Sequence, residues 1–219
     1  LMAAGAPASL LADTQRAAAD EVRHARISFA LAAAYADKPV EPGKFPVSSP
    51  LELDTDLASI AAATAAEGCF EETLSCLGLA EAASRCEDAC VRTALSSLVK
   101  DEARHAALAW RTVKWAIAAG GASVADAVTR AFRRSAHLLE VATAGAAADS
   151  QDVAALEAHG ALAPSTELAL RRAAAAAVVG PLRDRMLGQS KSASVVSIGD
   201  AMAEFRGAAK AAEALSALF

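Results

Sequence analysis

The sequence has few aromatic residues and no excess of basic ones. Aromatic residues make up 4% of its 219 residues, whereas 62 are alanine, the strongest helix former. Strands are enriched in aromatic and β-branched residues, so this composition argues against a strand-rich fold. The 21 Lys and Arg against 26 Asp and Glu give a net charge of −5. Such a chain lacks the positive charge that neutralises phosphates, and we expect no nucleic-acid partner.

Long apolar runs and paired cysteines are also missing. Charged residues interrupt every stretch that approaches 18 apolar residues, which argues against a membrane-spanning helix and a membrane partner. The chain starts at Leu1, without a basic leader, and we expect it to be part of a longer protein. Its four cysteines contain no CxxC pair, which excludes zinc-ribbon, rubredoxin and thioredoxin motifs.

We expect Cys69, Cys76, Cys86 and Cys90 to be reduced thiols in a helical core, and the protein to be cytoplasmic. The spacing of four between Cys86 and Cys90 leaves a bridge or a metal clamp open as an alternative.

The positions of glycine and proline predict an all-α fold. Residues 1–4 read as the last turn of a helix that Gly5 ends, and a long helix follows over about 10–36. A Pro-rich crossover leads to helices over about 55–83 and 89–119, which a short turn joins into an antiparallel hairpin. This order predicts a four-helix bundle with one long crossover, its first helix largely missing from this chain.

We divide the chain into a bundle (1–121), a helical extension (122–188), and a linker with a C-terminal amphipathic helix (189–219). A helix over about 123–142 begins the extension, which should cover the bundle or form a dimer interface, and we expect a homo-oligomer. The C-terminal helix should dock on the bundle through an apolar stripe, formed by Ala201, Phe205, Ala208, Ala212 and Leu215.

The sequence DExRHA occurs twice, at residues 20–25 and 101–106. Residues three apart on a helix share a face, so Glu21 with His24 and Glu102 with His105 can each present an oxygen and a nitrogen to one metal ion. Carboxylate and imidazole ligands suit iron, manganese or zinc. Both glutamates lie on mostly apolar helical stripes, where a cation would compensate for their burial.

The intervening helix offers further carboxylates. Glu67 shares a stripe with apolar residues, and Gly68 beside it allows another backbone to approach, so we predict Glu67 as the fifth ligand. At about 100° per residue, Glu71 lies roughly 40° round from Glu67 and is an alternative or extra ligand. Glu72, about 140° away, is expected to be a surface or supporting charge.

Two inward Glu-x-x-His motifs resemble the ferritin-like di-iron carboxylate proteins, and their DExRH form resembles the bacterial multicomponent monooxygenases. The resemblance covers roughly residues 1–119 and implies that Glu21, His24, Glu67, Glu102 and His105 bind two iron ions, with manganese or a mixed Fe/Mn pair as alternatives. It also implies a further glutamate from the first bundle helix, about ten residues before Leu1 if both helices rise equally. Glu140 and Glu204 are possible replacements.

A histidine that binds a metal needs its other ring nitrogen held, usually by a carboxylate. We predict that Asp20 holds His105 of the opposite helix and pairs with Arg104. Asp101 should likewise serve His24 and Arg23. Ion pairs within each helix are the alternative.

The resemblance implies an oxidoreductase that activates O2 or peroxide and acts on a small organic substrate. Small residues near the ligand faces leave room for such a molecule, although they also allow close helix packing; they are Ala17, Ala18, Ala25, Ser28, Ala32, Ala106 and Ala109. Tyr35 and Trp110 are candidate redox-active neighbours. The alternatives are an iron oxidase or peroxidase for iron storage or detoxification, and a metal-free binding scaffold.

Overall fold

The computed structural model describes residues 1–44, 55–144, 150–189 and 202–216. These parts of the chain contain helices and connections and no β-strand, which confirms the predicted all-α class. The helices are α1 (Ala8–Ala36), α2 (Leu57–Ala63), a π-helical stretch (Thr64–Glu72), α3 (Thr73–Arg85), α4 (Ala89–Val141), α5 (Ser150–Ala158), α6 (Pro164–Ala174), a second π-helical stretch (Ala175–Val179), α7 (Gly180–Met186) and α8 (Arg206–Ser216).

The first long helix, α1, contains no glycine or proline and stops where the backbone turns left-handed. Pro7 precedes its first turn, and Asp37 ends it with φ 49°. Only Leu10 and His24 of α1 are buried. Along its other faces the side chains are largely exposed, including Val22 at 64%. Within the described residues, α1 therefore packs along one face only.

The second long helix is continuous from α2 through the π-helical stretch into α3. The carboxylate of Asp56 begins it by accepting a hydrogen bond from the backbone N–H of Ser59. In the π-helical stretch the backbone bonds run from residue i to i+5, so the turns are wider than in an α-helix. All three parts of this helix pack against α4. This contact forms the predicted hairpin.

The third long helix, α4, begins where the sequence predicted, and a break at Gly121 separates the two helices predicted over about 89–119 and 123–142. Asp88 accepts hydrogen bonds from the backbone N–H groups of Cys90 and Val91 and so caps its start. At Gly121 the backbone takes φ 66° and ψ −145°, which breaks the helix into two parts. The left-handed φ favours glycine at this position.

The later helices add buried residues to the larger of two core clusters around the hairpin. Buried residues of α6 and α7 pack with the rings of Phe70 and Phe132, and Phe132 stacks on Trp110 with ring centroids 5.6 Å apart. The predicted docking of the C-terminal helix is also present, because α8 packs against α3 with Phe205 and Leu215 buried. Ala201 lies outside the described residues.

Glu81, a buried carboxylate of α3, ties α8 to this core. It accepts hydrogen bonds from the backbone N–H groups of Gly207 (2.9 Å) and Ala208 (3.2 Å), which begin α8. Arg85 pairs with Glu81 at 2.8 Å and continues to Glu157 on α5. The network therefore joins α3, α5 and α8. None of the described helices is long and apolar enough to cross a membrane.

Candidate metal centre

The two DExRHA copies face each other across the contact between α1 and α4. His24 and His105 are both buried at 8% exposure, and their ring centroids lie 5.6 Å apart. Further along the same contact, Arg111 of α4 pairs with Asp13 of α1 at 2.7 Å. The repeated motif thus brings two imidazoles together from helices that are far apart in sequence.

The Nδ1 atoms of both histidines meet the same two carboxylates. His24 Nδ1 lies 3.3 Å from Oε1 of Glu21 and 3.1 Å from Oε1 of Glu102. His105 Nδ1 lies 3.1 Å from Oε1 of Glu21 and 3.6 Å from Oε2 of Glu102. The structure therefore brings together four of the five residues that the sequence suggested as ligands.

The Nε2 atoms point to aspartates on the opposite helix. His24 Nε2 lies 3.1 Å from Oδ2 of Asp101, and His105 Nε2 lies 3.3 Å from Oδ2 of Asp20. These are the two cross-helix contacts that the sequence predicted. They leave Nδ1 of each ring on the side of the glutamates.

Arg23 and Arg104 each contact both aspartates. Arg23 pairs with Asp20 at 2.9 Å and also with Asp101 of the other helix. Arg104 lies 3.0 Å from Asp20 and 2.5 Å from Asp101. The predicted cross-helix pairs and the alternative pairs within each helix are therefore present together, and they hold the carboxylates that hold the histidines.

The second long helix contributes Glu72 to this cluster. Among the described residues, two groups have ligand atoms within 4.8 Å of one another: Glu21, His24 and Glu102 form one, and Glu72, Glu102 and His105 form the other. Glu102 belongs to both. Glu67, the predicted fifth ligand, is exposed and lies in neither group.

The π-helical stretch explains why sequence spacing did not single out Glu72. An α-helix advances about 100° per residue, but bonding from i to i+5 reduces this to roughly 80°. Five residues on, Glu72 then lies about 40° rather than 140° from Glu67. Both line one groove of about 460 Å³. The sequence contains no local pattern that predicts these wider turns.

Gly68 lies at a close approach between the second long helix and α4. A Cβ atom on Gly68 would lie 2.4 Å from Cβ of Ala109, well inside van der Waals contact. The expected close approach at this glycine is therefore present. It brings the π-helical stretch near enough for Glu72 to reach the residues of α4.

Burial and neighbouring charges shift the pKa values within the cluster. Burial, together with the hydrogen bond and charge of Glu102, raises the pKa of Glu72 to about 8. Burial also acts to raise the pKa of Glu102, but hydrogen bonds from His105 and Glu72 outweigh it and the pKa is lowered. The hydrogen bond to Glu102 is the main cause that raises the pKa of His105 to about 9.

The donor set fits a pair of metal ions. Three carboxylates and two imidazoles converge, and Glu102 belongs to both groups of potential ligands. Hard and borderline donors of this kind suit iron, manganese or zinc. A cation would also relieve the close approach of Glu72 and Glu102.

A pocket of about 330 Å³ opens beside the cluster between α1, the π-helical stretch and α4. Glu21, Glu72 and His105 line it, together with small residues that the sequence suggested would leave room: Ala17, Ala18 and Ala109. Of the other small residues, Ala106 is buried, whereas Ala25, Ser28 and Ala32 are exposed on α1. Glu21 itself is 57% exposed, so the pocket reaches solvent.

The other acidic candidates lie elsewhere. Glu71 pairs with Arg171 of α6 at 2.5 Å, and Glu140 and Glu204 are exposed. None of the three belongs to either group of potential ligands.

The two candidate redox-active aromatic residues have different surroundings. Tyr35 is exposed and its hydroxyl oxygen lies 3.0 Å from Nδ1 of His159. Trp110 is buried and donates a hydrogen bond from its ring to Thr73.

All four cysteines are free thiols. Cys69, Cys76 and Cys86 are buried as expected, whereas Cys90 is exposed and does not belong to the core.

Comparison with known proteins found no match among protein-family models, curated proteins or solved structures.

Proposed function

We propose that this chain is a ferritin-like dimetal carboxylate protein that uses two iron ions to activate O2 or peroxide. Glu21, His24, Glu72, Glu102 and His105 would hold the metals. The proposal rests on one observation: the carboxylate of Glu102 belongs to both groups of potential ligands. A carboxylate shared in this way can bind two ions at once.

The surrounding residues support this assignment. A metal-binding histidine is commonly oriented by a carboxylate on its other nitrogen, and Asp101 and Asp20 contact His24 and His105 in that way. Arg23 and Arg104 each pair with both aspartates. These contacts orient both imidazoles with Nδ1 toward the glutamates.

Two iron ions would supply the electrons that reduce O2 or peroxide. The protein's own part is to hold the carboxylates and imidazoles in place and to admit small molecules. The pocket beside Glu21 provides a route from solvent to the ligands. We assign the reaction to oxidation of a small organic substrate.

Metal content tests the proposal. We expect close to two iron ions per chain, by plasma mass spectrometry, in protein purified without chelator or loaded anaerobically with Fe²⁺. Glu102→Ala should lose both ions because it removes the shared ligand. Glu71→Ala is the matched control, since Glu71 lies on the neighbouring helix outside the cluster. Absence of bound metal, or full metal content in Glu102→Ala, would overturn the proposal.

Oxygen consumption tests the redox assignment. Reduced, iron-loaded protein should consume O2, and Glu102→Ala treated identically should not. Uptake of many iron ions per chain on repeated addition of Fe²⁺ and O2 would instead identify an iron-storage protein. Two bound ions without O2 or peroxide consumption would rule out the oxidoreductase assignment.

A further inference from the structure

The second part of α4, which follows the break at Gly121, carries basic residues on one face. They are Arg130, Arg133, Arg134 and His137, and all four are exposed. Residues that follow the first by three, four and seven positions lie on the same side of a helix over successive turns. Within the described residues, no ion pair or side-chain hydrogen bond engages any of the three guanidinium groups. This side of α4 therefore carries positive charge that is not neutralised there.

Most other arginines of the chain have a carboxylate partner. Seven of the other twelve pair with Asp or Glu, namely Arg16, Arg23, Arg85, Arg104, Arg111, Arg171 and Arg183. On α4 the acidic residues nearest in sequence to the cluster are Asp126 and Glu140, which are exposed and lie beyond its two ends. Three unpaired arginines within five residues are thus a local exception in a chain with a net charge of −5.

Two exposed aliphatic side chains continue this face toward the end of α4. Leu138 is 57% exposed and Val141 is 58% exposed. Leu138 follows Arg134 by four residues and Val141 follows it by seven, so both lie on its side of the helix. The opposite side of the same turns is buried through Phe132 and Leu139. The basic face, Arg130, Arg133, Arg134, His137, Leu138 and Val141, is therefore presented outward by a helix that is fixed in the core.

We infer that the basic face docks an acidic segment of another protein, in which carboxylates are accompanied by aliphatic side chains. The planar guanidinium group matches a carboxylate with two parallel hydrogen bonds, and arginine is enriched at protein interfaces. Leu138 and Val141 would pack against the aliphatic side chains of that segment. The inference goes beyond the proposed metal centre, because no residue of the basic face belongs to either group of potential ligands.

A protein segment matches the basic face better than other anionic partners do. The phosphate backbone of a nucleic acid would pair with the arginines but offers no aliphatic group to Leu138 and Val141. A membrane surface is extended, so it would also meet the exposed carboxylates of Asp126 and Glu140. A narrow acidic segment can contact the arginines and the aliphatic pair without covering both carboxylates.

Fluorescence anisotropy on the full chain can measure this binding with a labelled peptide of repeating Glu-Glu-Leu-Ala sequence. The native protein should bind the peptide saturably, and binding should weaken as salt is added. It should not bind the uncharged peptide of repeating Gln-Gln-Leu-Ala sequence. Replacement of Arg130, Arg133 and Arg134 together by Gln should weaken binding of the acidic peptide by about tenfold, since each exposed charge pair contributes a small amount.

A second triple variant separates the basic face from net charge. Arg26→Gln, Arg185→Gln and Arg206→Gln combined remove the same charge from exposed arginines elsewhere, and this variant should bind the acidic peptide as the native chain does. Equal losses in the two triple variants would assign binding to net charge and overturn the inference. Replacement of both Leu138 and Val141 by Ser should also weaken binding, because it removes the apolar part of the face.

Thermal melting of each variant establishes that it is folded. If the first triple variant does not fold, Arg134→Gln compared with Arg26→Gln decides, and equal affinity of these two counts against the basic face. Absence of saturable peptide binding to the native chain would overturn the inference. Tighter binding to phosphatidylserine vesicles or to duplex DNA, lost in the first triple variant alone, would overturn it in favour of a membrane or a nucleic acid. Self-association lost in that variant alone would overturn it in favour of a second copy of the chain.

Discussion

Oε1 of Glu102 lies 3.1 Å from Nδ1 of His24, so a carboxylate of α4 meets an imidazole of α1. The second oxygen of the same carboxylate lies 3.6 Å from Nδ1 of His105, one helical turn along α4. The glutamate therefore links the two histidines of the repeated motif. Its removal should affect both groups of potential ligands because Glu102 belongs to both, whereas removal of Glu72 should affect one.

Substitution of Glu72 tests the second group of potential ligands, which contains Glu72, Glu102 and His105. Glu72→Ala should lower the iron content from about two ions to about one per chain, because it removes a ligand from the group of Glu102 and His105. Glu67→Ala should retain both ions, since Glu67 lies outside the groups. Plasma mass spectrometry on the two purified variants measures the difference. Full iron content in Glu72→Ala together with loss in Glu67→Ala would instead favour the ligand expected from sequence.

Asp101 should act on metal affinity without binding the metal. It is buried and contacts His24, Arg23 and Arg104. Asp101→Asn removes the charge that orients His24, and we expect iron affinity to fall about 10–100-fold. Competition with a chelator of known affinity measures this change.

Asp13→Asn is the control for Asp101→Asn. It also removes a carboxylate of a pair between α1 and α4, the one with Arg111, but not one in contact with either histidine. Its iron affinity should match that of the native chain. An equal loss in both variants would assign the effect to helix packing rather than to the orientation of His24.

The reactivity of the four thiols tests how tightly the second long helix is packed. Burial raises the pKa of Cys69 well above its ordinary value and that of Cys76 to about 12, so both thiols should be unreactive in the folded protein. Cys86 is also buried, and Cys90 is exposed. A colorimetric disulfide reagent should titrate one thiol rapidly in native protein and all four after denaturation.

Cys90→Ser should abolish the rapid thiol reaction, and the three buried thiols should still react only slowly. Rapid reaction of a second thiol in this variant would show that the helix opens more readily than its packing indicates. Native protein and Cys90→Ser should have the same melting temperature, because the side chain of Cys90 is exposed.

The hairpin and the contacts between aspartates and histidines could be predicted because they follow from regular α-helical spacing. Asp, Glu, Arg and His recur at the same spacing in both motifs, and the helices that carry them are bounded by glycine, proline and short turns. Glu72 could not be predicted in this way. Its direction depends on wider π-helical turns, and these occur where Gly68 packs against Ala109 of a helix some forty residues away.

We expected the face of α1 that carries Glu21 to be buried, but residues on this face are exposed in the structure. A helical stripe shows which residues share a face, but not whether another element covers it. Ser28 and Tyr35 share the Glu21 stripe and are exposed in the structure. The role of Glu21 thus depends on its contacts with His24 and His105 rather than on burial in an apolar layer.

Gly68 and Gly78 should respond in opposite ways to substitution by alanine. Gly68→Ala should lower the free energy of unfolding by about 1–3 kcal/mol, because the new Cβ would lie 2.4 Å from that of Ala109. Gly78→Ala meets nothing within 4 Å and should raise it by up to about 1 kcal/mol through helix propensity. Urea unfolding of the metal-free proteins measures both changes.

Ala109→Gly tests whether the Gly68 effect arises from this one contact. Alone it should cost about 1 kcal/mol, since it places glycine inside a helix. Combined with Gly68→Ala it should cost less than the sum of the two single changes, because removal of the opposing Cβ makes room for the new one. Strict additivity would show that the helices already adjust around residue 68. In that case the close approach would not be what holds the π-helical stretch, and Glu72 with it, against α4.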